Sequence, residues 1–189
     1  MELRTLRIRN LRLIEQLSLQ FGSRWNLLVG PNGAGKTSVL EAAYLLSHGR
    51  SFRTAAKDVL VRHGSNGYSV YGEVLRETST APWRVGVSRD ANRLEARLNG
   101  ETVAAGELLR TTAVLCFEPG SHALISGPSE ERRRFLDWGV FHVEHDFLVA
   151  WRRYQRALKQ RNAWLRSTRS DAGLDVWDHE LVSAADGRS

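Results

Sequence analysis

Cysteine is almost missing from this sequence: Cys116 is the only one. A single thiol excludes an internal disulfide framework, and its apolar neighbours predict a buried side chain. No stretch approaches the roughly eighteen apolar residues that cross a bilayer, which excludes a membrane-spanning helix. The N-terminus, Met1-Glu2-Leu3-Arg4, carries an acid early and lacks the apolar core of a secretion signal, so a cytoplasmic protein with no membrane partner is expected. Lysine is scarce as well. Lys36, Lys57 and Lys159 are the only three among 27 basic residues, which face 21 acidic ones for a net charge of +6. Charge carried by arginine suits phosphate recognition, and a GC-rich genome produces the same bias, so composition does not choose between them. Global disorder is excluded by a chain that is 42% hydrophobic and 25% charged. Its 189 residues hold one domain of ordinary size, or one small domain and part of a second.

What is present falls into a strand-rich first part and a helical last part. Leu3, Leu6 and Ile8, then Leu11 to Phe21, place apolar residues mostly two apart, the period of a strand. Trp25-Asn26-Leu27-Leu28-Val29 is nearly all apolar and predicts a short strand buried on both faces. From Lys36 the period becomes helical, with Val39, Leu40, Ala43 and Leu46 on one face and His48-Gly49 as the stop. Alternation returns in 68–76, 83–89 and 94–98, and Asn99-Gly100 is a hairpin signal. Thr112 to Phe117 is a second candidate for a buried strand. Gly127-Pro128-Ser129 opens a helix, and a longer one follows His145, with Phe147, Trp151, Tyr154, Leu158 and Leu165 as its apolar stripe. Residues 167–173 predict a polar linker, with only the opening of a further helix after it. The chain shows no internal repeat.

Between the first buried run and the first helix lies Gly30-Pro31-Asn32-Gly33-Ala34-Gly35-Lys36-Thr37, a full match to G-x-x-x-x-G-K-[ST]. Each residue type has a physical reason. The glycines let successive backbone N–H groups converge on phosphate oxygens, and the helix that follows offers unpaired N–H groups and a positive dipole end. Lys36 brings a mobile charge for the β and γ phosphates, and Thr37 a hydroxyl for the Mg²⁺ shell. ATP with Mg²⁺ is therefore the expected ligand. Phosphoryl transfer needs a further carboxylate at a strand end, and the one candidate, Glu118 after Phe117, also suits a turn before Pro119.

Three segments together resemble the RecF family: residues 1–21, residues 25–54 and residues 127–165. The RecF-like features are Gly49-Arg50-Ser51-Phe52-Arg53, Arg132-Arg133-Arg134-Phe135-Leu136-Asp137 and Ala157-Leu158-Lys159-Gln160-Arg161-Asn162. The resemblance runs to about Leu181. It implies an α/β fold, the P-loop ABC-type ATPase head, with a mixed sheet around the loop helix and the start of an α-helical lobe. On this basis 1–127 is the N-terminal part of the head and 128–189 the incomplete start of the lobe. The implied function is ATP-dependent DNA binding in recombinational repair, at single-strand gaps and single/double-strand junctions. RecR as partner, help in RecA loading, an ATP-dependent homodimer, and roles in DNA replication and the SOS response belong to the same implication.

The family's signature motif and acidic Walker B pair belong to a C-terminal part not found in these residues, so a truncated chain that does not hydrolyse ATP alone is expected. Gly120-Ser121-His122 also departs from the family's more acidic sequence there. The rival readings are a non-hydrolysing nucleotide- or DNA-binding fragment and another SMC-like ATPase.

For DNA contact, Arg152, Arg156 and Lys159 share a helix face by their spacing of four and three. A solvated outer face is the alternative. Arg132, Arg133 and Arg134 point about 100° apart and sit beside Glu130 and Glu131, which favours a structural or solvated role. Arg50 and Arg53 are candidates for nucleotide or DNA, with a loop arginine held by a carboxylate as the equal alternative. His142 and His145 have a spacing that permits a metal, with no second cluster to complete it.

Overall fold

The computed structural model describes residues 1–76, 79, 81–90, 93–117, 119–144, 147–167 and 174–186. Its contacts divide the chain into two compact units, Met1–Glu118 and Pro119–Ser189. In the second unit a 3-10 turn at Pro119–His122 packs with a short helix at Ala123–Ser126, and that helix packs with the one at Ser129–Val143.

In the first unit, period-two alternation becomes β1 (Glu2–Leu11) and β2 (Ile14–Gln20). The phosphate-loop helix is α1 (Lys36–His48). Then come β3 (Gly67–Leu75), β4 (Trp83–Asp90), β5 (Arg93–Leu98), β6 (Glu101–Val103) and α2 (Ala105–Thr111). The six strands form one sheet in the order β2-β1-β3-β4-β5-β6, and every described pair in it is antiparallel. Asn99 and Gly100 make the β5–β6 turn at φ 52° and 98°, the left-handed values that this dipeptide tolerates best.

Register then decides the core. Leu17, Ile8, Val70, Val87, Ala96 and Val103 lie opposite one another in succession, an apolar lane across all six strands. The helix α1 covers this face with Val39, Ala42, Leu45 and Leu46, all buried. Leu40, expected on that face, is 53% exposed instead, because the helix rolls toward Ala42 and Leu45. The close approach requires Gly72: a Cβ there would lie 2.5 Å from Leu46 Cδ1 and 3.1 Å from Leu3 Cδ1.

Two expected strands are not formed. Residues 25–29 carry no strand, and Trp25, Leu27 and Val29 are 97%, 87% and 83% exposed. Residues 112–117 carry none either, with Phe117 exposed and Cys116 only half-buried. A strand buried on both faces needs a neighbour on each side. Among the described residues neither run has a ladder partner. The start of 112–117 is nonetheless fastened to the C-terminal end of α1. The buried Ser47 hydroxyl donates to the Thr112 carbonyl, and the Thr112 hydroxyl lies 3.1 Å from the Leu46 carbonyl oxygen.

The second unit continues with α3 (Ala123–Ser126), α4 (Ser129–Val143), α5 (Phe147–Ser167) and α6 (Leu174–Asp186). The stripe on α5 is buried at Phe147 and half-buried at Trp151, Tyr154 and Leu158, while Leu165 is 44% exposed and Ala157 is the more deeply buried residue. Trp151 Nε1 donates to Asp137 Oδ2 at 3.0 Å, which ties α5 to α4. The final helix is a full element of 13 residues rather than the brief opening expected. Its acids explain part of that: Glu180 accepts from Arg153 Nε and Asp178 from Arg161 Nε, each at 2.5 Å, so α6 is laced to α5.

Candidate phosphate-binding site

The residues of the loop follow one another in a geometry that their chemistry dictates. Gly33 and Gly35 have φ of 84° and 89°, values that L side chains rarely adopt. Gly35 also sits against β2: a Cβ there would meet Ile14 Cγ1 at 3.4 Å. The Ala34 N–H donates to the Pro31 carbonyl at 3.2 Å, closing the turn, and the Val39 N–H donates to the Gly35 carbonyl at 3.0 Å, opening α1. Gly35 is the N-cap and contributes no side-chain cap, and the first turn of α1 contains no acid. The N–H groups there meet no competing carboxylate, which is the electrostatic requirement for an anion at a helix start.

Lys36 curls back over the loop, with Nζ donating to the Gly30 carbonyl at 2.7 Å and to the Pro31 carbonyl at 2.8 Å. An ammonium has three donors, so this arrangement holds the loop round and leaves one N–H for a phosphate oxygen. Thr37 is exposed in the same turn of helix. One hydroxyl is a fitting protein ligand for Mg²⁺, which takes its remaining oxygens from phosphate and water. Asn32 and Ala34 are exposed at the rim of the loop.

A second cluster lies just behind the loop, and the sequence reading did not find it. Glu41, on the inner face of α1, has no exposed surface. Its Oε2 accepts from Arg12 Nε at 2.9 Å and its Oε1 from Arg12 Nη2 at 2.8 Å, a two-pronged pair. Ser51 Oγ also donates to Oε1, and accepts in turn from the backbone N–H groups of Arg53 at 2.9 Å and Thr54 at 3.3 Å. Burial pushes the Glu41 carboxyl up. The hydrogen bonds from Arg12 and Ser51 and the charges of Arg12 and Arg53 outweigh that and hold it below the ordinary carboxylate range. The pair raises Arg12 in turn, chiefly through the hydrogen bond to Glu41. The signal in the sequence was an acid placed between Leu40 and Ala42 inside an apolar face.

The other candidates separate cleanly. Arg50 and Arg53 are exposed on the turn that Glu41 anchors, and Phe52 packs edge-on against Tyr44 of α1 with centroids 5.4 Å apart. Arg132 Nη1 donates to the Gly127 carbonyl at 2.9 Å, while Arg133 and Arg134 each lie 3.4 Å from a Glu130 oxygen, so this triplet is engaged locally. On α5, Arg153 and Arg161 are taken up by the acids of α6. Arg152, Arg156 and Lys159 stay exposed and form no ion pair among the described residues. Arg156, Lys159 and Arg166 line a groove of about 600 Å³ along that helix, with Leu158 and Ala163 between them. Glu118, His145 and Asp146 lie outside the described residues. Among the described residues no three His, Cys, Asp or Glu side chains group as metal ligands, and no helix is long and apolar enough to cross a membrane.

Comparisons with known proteins agree with this loop and fold. A family model for an AAA ATPase domain matches residues 1–81. The DNA replication and repair protein RecF of Xanthomonas oryzae pv. oryzae is 50% identical over 98% of this chain and 52% of its own length. RecF of Hahella chejuensis is 41% identical over 94% of this chain and 48% of its own. The chain thus spans about half the length of these curated relatives. Among solved structures, the recombination mediator protein RecF with ATP, of the RecFOR pathway, superposes with a TM-score of 0.85 at 26% identity, covering 96% of this chain and 50% of that one. A second structure, of the recombination mediator protein RecF-ATPrS in the RecFOR pathway, gives 0.86 at 27% identity, covering 97% and 51%.

Proposed function

Because this chain shares its sequence and fold with RecF proteins over almost its whole length, we propose that it is the nucleotide-binding part of an ATP-dependent DNA-binding protein of replication and recombinational repair. The observation that carries the proposal is the loop itself: two glycines at left-handed φ, Lys36 folded over it, and an α1 start free of acids. Residues 30–37 hold ATP, with backbone N–H groups and Lys36 on its phosphates. Thr37 holds Mg²⁺, whose chemistry when bound is to neutralise phosphate charge. The face of Arg152, Arg156 and Lys159 meets DNA backbone, since these side chains are exposed and form no close ion pair with the α6 acids, which take Arg153 and Arg161. Action at gaps and junctions in the cytoplasm, RecA loading with RecR, the SOS role and ATP-driven pairing of two heads follow from the same reading. Residues 1–127 then serve as head and 128–189 as the beginning of the helical lobe.

A second reading rests on the exposure of Trp25, Leu27 and Val29 beside the loop. Here the chain binds nucleotide but does not turn it over, because the run leading into the loop forms no strand and joins no sheet among the described residues. The test is calorimetric titration with Mg-ATP followed by a phosphate-release assay with DNA present. Under the proposal Lys36→Ala lowers ATP affinity at least about a hundredfold, as loss of a charged phosphate contact should. Turnover stimulated by DNA excludes the second reading, and unchanged affinity in Lys36→Ala overturns the first. For DNA, the triple change of Arg152, Arg156 and Lys159 to Ala lowers the slope of log affinity against log salt by up to about 3.

A further inference from the structure

We propose that Glu41 is a positioning residue for the nucleotide site, fixing the turn of Arg50 to Thr54 and the β1–β2 turn to the phosphate-loop helix without touching the ligand. The inference rests on the ATP-binding reading above. Glu41 comes five residues after Lys36 on one helix, about 7.5 Å along its axis. Its two oxygens are shared among two other chain segments: Arg12 takes both, and Ser51 takes one. Ser51 then holds the N–H groups of Arg53 and Thr54. Arg12 is itself fixed by its backbone, at φ 54°, with its N–H donating to the Leu60 carbonyl at 2.8 Å. One carboxylate therefore sets the places of residues 12, 51–54 and, through Arg12, 60 relative to the loop.

Stability alone does not account for such a cluster. A buried ion pair is often no better for stability than apolar residues of the same volume, whereas it does impose one register on the segments it joins. The segment fixed here presents Arg50 and Arg53, both exposed and without an ion pair among the described residues. The edge-to-face contact of Phe52 with Tyr44 holds the turn close to α1, but it orients only the ring and not the backbone of Arg53 and Thr54. The hydrogen bonds of Ser51 to Glu41 supply the direction.

Because Glu41→Gln strands the Arg12 charge, the decisive variant is Ser51→Ala, which cuts the turn from the carboxylate and leaves the Arg12–Glu41 pair in place. Mg-ATP affinity is measured by calorimetry for the whole chain, with Tm and far-UV dichroism as controls and amide exchange at Arg53 and Thr54 as a ligand-free readout. Ser51→Ala is expected to stay folded with a modestly lowered Tm and to bind ATP about three- to tenfold more weakly, the size of one hydrogen bond to a charged group or somewhat less. Exchange at both amides becomes faster, and Ser51→Thr, which restores the hydroxyl, recovers the affinity. Glu41→Gln weakens binding at least as much, and the double change adds nothing to it, since both cut one link. Wild-type affinity in Ser51→Ala and in a folded Glu41→Gln, with Lys36→Ala still defective, overturns the positioning role. A wild-type chain that binds no ATP overturns the functional reading instead, and this inference with it.

Discussion

In the first unit the pair Arg12–Glu41 is drawn inside the fold, with 20% and 0% of the side chains exposed, while in the helical unit Arg153–Glu180 and Arg161–Asp178 stay at the surface at 48%/37% and 30%/50%. The chemistry of the pairs is the same, and the consequences differ. Water screens the helical pairs and replaces them when they break, so they steer α6 onto α5 without carrying much energy. The inner pair has less solvent to fall back on: Glu41 left alone is a fully buried charge, while Arg12 keeps only its outer edge in water. The packing around them follows the same division. The sheet and α1 close a continuous core from Leu6 through Val87 to Leu108, whereas Phe147 and Ala157 are the buried hydrophobic residues described in the helical unit.

The comparison breaks most visibly at Glu41. Replacing it with Gln is expected to lower the unfolding free energy of the first unit by about 1.5–3 kcal/mol, measured by urea denaturation, because the partly buried Arg12 loses its charged partner. An equal loss in Glu180→Gln would abolish the distinction between the units. Acid probes the same pair without mutation. The Glu41 pKa is lower in the folded chain than in the unfolded one, where it is about 4.3. Its contribution is therefore complete above that unfolded value and disappears as pH falls through the lower folded value. Denaturation profiles of wild type and Glu41→Gln should converge across that window.

The core side of the comparison is sharpened at Gly72. Gly72→Val drives a side chain toward Leu46 and Leu3, with an expected cost of about 1–3 kcal/mol in the same assay. A neutral result would mean that α1 lifts from the sheet without penalty. The smallest effect belongs to the helical pairs. Glu180→Gln and Asp178→Asn should leave Tm almost unchanged at physiological salt, with any difference shrinking as salt is added.

What was legible from sequence was local. The phosphate loop could be read because glycine at left-handed φ and lysine at a fixed offset are demands of the adjoining backbone alone. Strands β1 to β5 could be read because the period of two is printed in neighbouring residues, and Asn99-Gly100 because a tight turn selects its own dipeptide. The misses depend on distant partners. Trp25 to Val29 has the composition of a buried strand, but burial is conferred by the neighbours on either side. The tie of Glu41 to Arg12 was not legible because the two lie 29 positions apart, beyond any local pattern. The full length of α6 depends on its packing along α5, which its own periodicity does not reveal.

The scarcity of lysine makes the protein unusually easy to footprint with acylating reagents. Apart from the α-amine, only three amines can react, and they stand in three different settings. Lys57 and Lys159 are exposed, beside the Asp58–Leu60 turn and on α5, and should be acylated first. Lys36 is half-buried with its ammonium held by two carbonyls, so its reaction is slowed from the outset. Mass spectra of one chain under one reagent would thus report the phosphate loop, the turn preceding β3 and the basic helix as three resolved signals. Adding Mg-ATP should suppress the first selectively, and adding DNA the third.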